Sequence, residues 1–316
     1  MNAAVVVVGS YVQDLIWRCA EFPRPGETTL GEFSSGPGGK GSNQAIAASR
    51  AGAATCFVGA VGADLLARDA RAFYDREKTA CRLVTKPRHR TGTAAILVNQ
   101  EGENEIVVAP GANAALASRD VPLALLRSAR VVVAQLESNL AATTQALCQG
   151  QRAGATTILN PAPMRADFDA ALLRHVDVLI PNEAEFVTLL NRRVAGWTEA
   201  RLRRLAPVRL HELCRGLDVP TVIVTLGARG CFLSGPDGFN ALPGHTGLRV
   251  VDTTGAGDAF VGAFAAGLVR FDGNSLRAAI FANAAAALSV TKTGTAPAMP
   301  RAAAIARFLR ERKIAL

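Results

Sequence analysis

The stretch Val251-Asp252-Thr253-Thr254-Gly255-Ala256-Gly257-Asp258-Ala259-Phe260 holds two acids around a run of residues with almost no side chains. A short apolar run ends at Val250-Val251. A small-residue, apolar run follows Ala259, suited to a closely packed helix. A Gly-rich turn therefore opens directly into a helix whose first turn carries Asp258. The first N–H groups of a helix lack internal partners and sit at the positive end of its dipole. Small residues let a phosphate approach them. An acid in that turn would repel a phosphate unless it serves as a base, taking a proton from a hydroxyl while the N–H groups hold the phosphoryl group. From this stretch alone an ordinary helix cap by Asp258 or Thr254 after a tight turn is the favoured reading, and the rest of the chain decides between the two.

A second such turn is Gly36-Pro37-Gly38-Gly39-Lys40-Gly41-Ser42-Asn43-Gln44, opening into a helix over 45–51. Its spacing is not that of a P-loop. Lys40, Asn43 and Gln44 stand where a polyol could hydrogen-bond to them, and a glycine loop packed under a helix is the other reading. Further polar residues follow apolar runs: Asp14, Glu137, Asn160, Asn182, Thr225 and Asp252. At corresponding strand ends, six such residues outline a site along one edge of a sheet.

The elements that would position them alternate. Strands are expected over 4–9, 55–61, 131–136, 156–159, 176–180 and 221–225. Helices are expected over 63–74, 140–153, 275–290 and 301–312. This rhythm implies an α/β fold with a mostly parallel central sheet covered by helices on both faces. Residues 15–35 and 81–108 alternate like antiparallel strands, with a hairpin turn at Asn99 to Asn104, and are expected to form a small separate sheet. A later hairpin turns at Pro236-Asp237-Gly238.

At 316 residues, 49% apolar and 19% charged, the chain suits one large globular α/β domain. The net charge is +9, and only five of the 35 basic residues are Lys. The densest basic cluster, from Arg192 to Arg209, alternates with Leu and Val. It reads as a solvated helical face and not as a nucleic-acid surface. Six scattered cysteines with no C-x-x-C pattern suit reduced thiols in a cytoplasm and argue against zinc. The apolar opening from Met1 to Val8 lacks a basic n-region and is expected to be a buried first strand. No run reaches membrane-spanning length.

These residues together resemble the ribokinase-like (PfkB-type) carbohydrate kinases, nearly end to end. The likeness rests on Gly38-Gly39-Lys40-Gly41-Ser42-Asn43-Gln44-Ala45, Glu101-Gly102-Glu103-Asn104, Gly111-Ala112-Asn113-Ala114-Ala115-Leu116 and Gln135-Leu136-Glu137. It rests also on Asn160-Pro161-Ala162-Pro163, Pro181-Asn182-Glu183, Thr225-Leu226-Gly227 and Asp252-Thr253-Thr254-Gly255-Ala256-Gly257-Asp258. The last is the family's C-terminal signature and is highly specific.

The resemblance implies a three-layer α/β/α kinase domain over 1–316 with a small β-sheet lid. It implies ATP-dependent phosphorylation of a primary sugar hydroxyl. Asp258 would be the base, with Gly255, Ala256 and Gly257 as anion hole. Asp14, Gly39, Lys40, Gly41, Asn43 and Glu137 would hold the sugar. Thr225, Leu226, Gly227, Ala228, Arg229 and Gly230, with Asn182, Gly257 and Asn283, would border ATP. Asn182 and Glu185, the family's N-x-x-E pattern, would orient Mg²⁺ partly through water. A monovalent cation, K⁺, would lie on Asp252 and the carbonyls of Thr254, Ser289, Lys292 and Gly294. The lid would also make a homodimer.

A non-catalytic sugar sensor would be the better reading had Asp258 or a cradle glycine been lost, and none is. The Gly-Gly-Lys-Gly-Ser-Asn and Gly-Ala-Asn segments favour a sugar over a nucleoside. One position departs. Ribokinases of this family carry Asn two residues before the first aspartate, where this chain has Val12. Losing an amide that bonds a hydroxyl opens the choice between ribose and a relative such as 2-deoxyribose.

Overall fold

The computed structural model describes residues 3–316. Met1 and Asn2, the head of the apolar opening, lie outside them. The strands are β1 (Val5–Val8), β2 (Val12–Cys19), β3 (Gly31–Gly38), β4 (Thr55–Val61), β5 (Ala80–Thr85), β6 (Gly92–Val98) and β7 (Asn104–Ala109). After them come β8 (Val131–Ala134), β9 (Thr156–Leu159), β10 (Val178–Leu179), β11 (Thr221–Thr225), β12 (Gly230–Gly235) and β13 (Gly238–Pro243). The helices are α1 (Lys40–Arg50), α2 (Leu65–Glu77), α3 (Leu123–Ser128), α4 (Leu140–Arg152) and α5 (Glu183–Asn191). They continue with α6 (Glu199–Leu202), α7 (Pro207–Arg215), α8 (Ala256–Arg270), α9 (Ser275–Ser289) and α10 (Ala302–Glu311).

Nine strands form one sheet in the order β13-β12-β11-β10-β9-β8-β1-β4-β5. Pairing is parallel from β5 to β11 and antiparallel across β11–β12–β13. Strands such as Val5-Val6-Val7-Val8 are buried on both faces, which is why they read as continuous β-branched runs without alternation. Val5 and Val7 lie on the face covered by α1 and α8, in one apolar cluster with residues of α2, α9 and α10. Val6 and Val8 face α3 and α4, while Val222 and Val224 face α5, α6 and α7. The layers are therefore helix, sheet, helix. Burying one large apolar side chain such as Phe264 contributes ~1.5–3 kcal/mol.

A second sheet has the order β3-β2-β6-β7. Two expectations change here. Residues 80–85 belong to the large sheet: β5 runs parallel to β4, Cys56 opposite Ala80, with α2 as the crossover. Its alternation is that of an edge strand with one covered face. Within the small sheet β2 and β6 are parallel, not antiparallel. Asp14 also moves. It lies inside β2, opposite Gly36, and does not follow the end of β1.

Candidate active site

Asp258 occupies the first turn of α8 and is buried. The residue before the helix, Gly255, has φ +79, a left-handed conformation that only glycine adopts at little cost. It turns the chain so that the N–H groups of Gly257 and Asp258 meet no acceptor among the described residues. A side chain at Gly257 would project into open space. The helix therefore presents free donors and the positive end of its dipole to a gap. That gap, about 190 Å³, is lined by Lys40, Asn182, Glu185, Thr225, Thr253 and residues 255–258, among others.

Asp258 is held from α1. Asn43 Nδ2 donates to its Oδ2 at 3.0 Å and Gln44 Nε2 to its Oδ1 at 2.9 Å. These short reaches depend on Gly262, one turn along α8, where any Cβ would overlap the Gln44 carbonyl oxygen. The Asn43 Oδ1 is buried and has no protein partner, so it is an acceptor left for a ligand hydroxyl.

Glu137, after β8, accepts from Ser10 Oγ at 2.6 Å and from the Lys40 N–H at 2.9 Å. Asp14 enters from the small sheet. Burial, with the charges of Glu137 and Asp258 beside it, pushes its carboxyl up to about 7. The Lys40 ammonium is raised above its ordinary range by the Asp258 carboxylate, against the opposing effect of burial. The Asp258, Glu137 and Glu185 carboxylates thus act on one ammonium. Asp14 also lines a larger cleft of about 760 Å³ between the small sheet and residues 250–254 and 293–297.

Asn182 and Glu185 form a reciprocal cap on α5. Asn182 Oδ1 accepts from the Glu185 N–H at 2.8 Å, and Glu185 Oε2 accepts from the Asn182 N–H at 2.9 Å. Burial raises the Glu185 carboxyl despite that bond and the nearby Lys40. Thr225 bridges to Asn182 across the sheet. The turn after it is closed by Leu226 N–H on the Gly230 carbonyl, and Arg229 pairs with Glu183. Asn283 donates to the Pro243 carbonyl at 2.8 Å, next to Gly244, whose N–H bonds Arg229. Asn283 is therefore one step removed from the turn, its amide engaged by the backbone.

Asp252 accepts from the N–H groups of Thr254 and Gly294, both at 2.9 Å. Partial burial opposes its charge, yet these bonds hold its carboxyl below the usual range. Ser289 and Lys292 lie at the adjoining carboxyl end of α9, where the dipole is negative; the Ser289 carbonyl accepts the Lys292 N–H at 3.3 Å.

Sequence reasoning missed three functions. Gln44 turns toward Asp258 and not toward a polyol. Gln135 and Asn160 stand behind it. Asn113 pins both the N–H and the carbonyl of Tyr11, setting the β1–β2 turn. Val12 is buried at the head of β2 and lines neither the cleft nor the gap. Arg192 to Arg209 are largely paired to carboxylates or carbonyls.

An acid and free N–H donors at one helix start, above a parallel sheet, define a class: enzymes that move a phosphoryl group onto a hydroxyl. The chain belongs to the pfkB family carbohydrate kinases, whose model matches residues 2–302. It is therefore an ATP-dependent sugar phosphotransferase. It is 38% identical to a ribokinase of Mus musculus over 94% of this chain and 92% of that protein. It is 32% identical to a deoxyribokinase of Salmonella typhi, with 94% and 95% covered. Among solved structures it resembles Arabidopsis thaliana ribokinase complexed with ribose and ATP, with TM-score 0.86, 29% identity and 98% and 99% coverage. Among the described residues no helix is long and apolar enough to cross a membrane.

Proposed function

We propose that residues 1–316 act as one kinase unit that transfers the γ-phosphoryl group of ATP to the primary (5-)hydroxyl of a pentose, namely ribose. The observation that carries this is the buried Asp258 carboxylate beside the unpartnered N–H groups of its own helix start. Asp258 takes the hydroxyl proton as the oxygen bonds to phosphorus and the bond to the β-phosphate oxygen breaks. The free N–H groups of Gly257 and Asp258, on the turn set by Gly255, and the Lys40 ammonium hold the charge that builds on the phosphoryl oxygens, whereas the Ala256 N–H, expected in the cradle, is taken by the Thr253 carbonyl at 3.3 Å. Asp14, Asn43 and Glu137 hold the sugar, seated by the turn of Gly39, Lys40 and Gly41, whose own N–H groups at Lys40 and Gly41 are engaged by Glu137 and Ser10. Thr225 to Gly230, with Asn182 and Asn283, border the nucleotide.

The donors fit two cations. Asn182 and Glu185 offer the oxygen chemistry of a Mg²⁺ site, and the second Glu185 oxygen is free of the cap. Asp252 with the carbonyls of Thr254, Ser289, Lys292 and Gly294 suits K⁺. When bound, Mg²⁺ would neutralise phosphate charge and K⁺ would stiffen the turn under the anion cradle. The small sheet serves as lid and, through exposed Phe33, Ile106 and Val107, as a homodimer surface. A cytoplasmic setting suits its unpaired cysteines.

The test is a sugar panel with ATP and Mg²⁺, scored by ADP release, with and without K⁺. Ribose should give the highest kcat/KM, ahead of 2-deoxyribose. Absence of turnover with every pentose would overturn the reading.

A further inference from the structure

Behind the Asp258 carboxylate lies a chain of side-chain amides whose polarity is set from one end. The Ile180 carbonyl can only accept, so Asn160 turns its Nδ2 toward it, at 2.8 Å. That directs Asn160 Oδ1 at Gln44, whose Nε2 donates to it at 3.0 Å and to Asp258 Oδ1 at 2.9 Å. Gln44 Oε1 must then accept, and Gln135 Nε2 supplies the donor at 2.6 Å. Gln44 and Gln135 are fully buried. The run ends at Gln135 Oε1, a buried acceptor with no partner among the described residues, packed against Gly9 where no side chain would fit. Leaving such an acceptor unmet is unfavourable. The array is therefore arranged for donation toward Asp258, at the expense of its far end.

We propose that Gln44, oriented by Gln135 and Asn160, is a positioning residue that fixes the direction of the Asp258 carboxylate toward the substrate hydroxyl. The inference rests on Asp258 being the base. Asn43 alone would leave the carboxylate one donor, about which it could swing toward the Lys40 ammonium. With Gln44 on the other oxygen the carboxylate plane is held from both sides, and each oxygen keeps a lone pair for the incoming proton. Gln44 lines neither the gap nor the cleft, and so acts only through Asp258.

The experiment is a double-mutant cycle on kcat with ribose and ATP: wild type, Gln44→Met, Asp258→Asn and the double variant. Removing the Gln44 donors should lower kcat by about 10²-fold, the scale of a misplaced catalytic group. KM for ATP and ribose should stay within about threefold. In the Asp258→Asn background the same change should cost less than about twofold, because the group it positions is gone. A merely structural role would lower turnover equally in both backgrounds, and that outcome overturns the proposal, as does an unchanged kcat in Gln44→Met. Should Gln44→Met not fold, Gln135→Met takes its place. It leaves the Gln44–Asp258 contact oriented by Asn160 alone, with Gln44 Oε1 deprived of its donor, and should lower kcat about tenfold with the same loss of effect beside Asp258→Asn. A folded Gln135→Met with wild-type kcat would then refute the proposal. Near-normal turnover of Asp258→Asn alone would instead refute the base assignment, which separates the two failures.

Discussion

The two Gly-rich turns that open α1 and α8 look alike as sequence and differ in what their helix starts bind. At α1 the first N–H, that of Lys40, is taken by Glu137, and the Gly41 and Ser42 N–H groups turn to Ser10. The positive end of that helix is filled from within by a fixed carboxylate. At α8 the N–H groups of Gly257 and Asp258 meet no acceptor among the described residues. One turn is a closed joint that presents side chains and a bound acid to a polyol. The other is held open for an anion from outside. Glycine spacing alone does not distinguish the two; the position of a carboxylate nearly a hundred residues away does.

The strongest way to break this contrast is to remove the acid of the open turn. Asp258→Asn should retain nucleotide binding and lose roughly 10²–10⁴-fold in kcat, the usual worth of general-base catalysis, as read by ADP release. Gly257→Val should follow, since its side chain would occupy the space kept for the phosphoryl group. A loss of roughly 10²–10³-fold in kcat is expected, with melting temperature unchanged because no protein atom lies within reach of a Cβ there.

The matching change in the closed turn should behave oppositely. In Gly41→Ala the new Cβ would lie 2.6 Å from the Ser10 nitrogen. Overpacking of this kind costs about 1–3 kcal/mol, so calorimetry should show a lowered melting temperature. A Gly41→Ala protein as stable as wild type would mean that the turn at α1 is as open as that at α8.

The subtlest prediction concerns Asp14. Its folded-state carboxyl titrates near 7, against an ordinary value of 3.8. The folded protein therefore binds more protons than the unfolded chain between these values, and stability falls as pH rises through that window. Asp14→Asn removes the cost of the charge. Its melting temperature should exceed that of wild type at pH 8, by an amount on the order of a few kcal/mol in stability, and the gap should close toward pH 4. A gap independent of pH would show that Asp14 does not titrate in this window.

Much of the architecture was legible because buried parallel strands leave a local record. Thr55–Val61, Thr156–Leu159 and Thr221–Thr225 match their expected bounds, since each is an apolar run between polar ends. The small sheet was legible as strands but not as pairings. Whether Ala80–Thr85 joins β4 or its nearer neighbours in sequence depends on the crossover through α2, which alternation does not encode. At the site, the comparison with known kinases identifies the family, and the residue types at 252–258 already pointed to phosphoryl transfer. The role of Gln44 was not legible. Its neighbours in sequence suggest a ligand contact, and only the approach of α1 to α8 turns its amide onto Asp258.

That approach has a practical consequence. Gly262 lines neither the gap nor the cleft, yet it sets the separation between the helix that bears the carboxylate and the helix that steers it. In a genetic screen for inactive variants, residue 262 would score alongside Asp258 as intolerant of change. A side chain there would overlap the Gln44 carbonyl oxygen and the Ala47 methyl, so variants would lose stability through overpacking as well as turnover. The spacing between two helices is in this sense an inherited trait of the enzyme, carried by a residue with no side chain to mutate away.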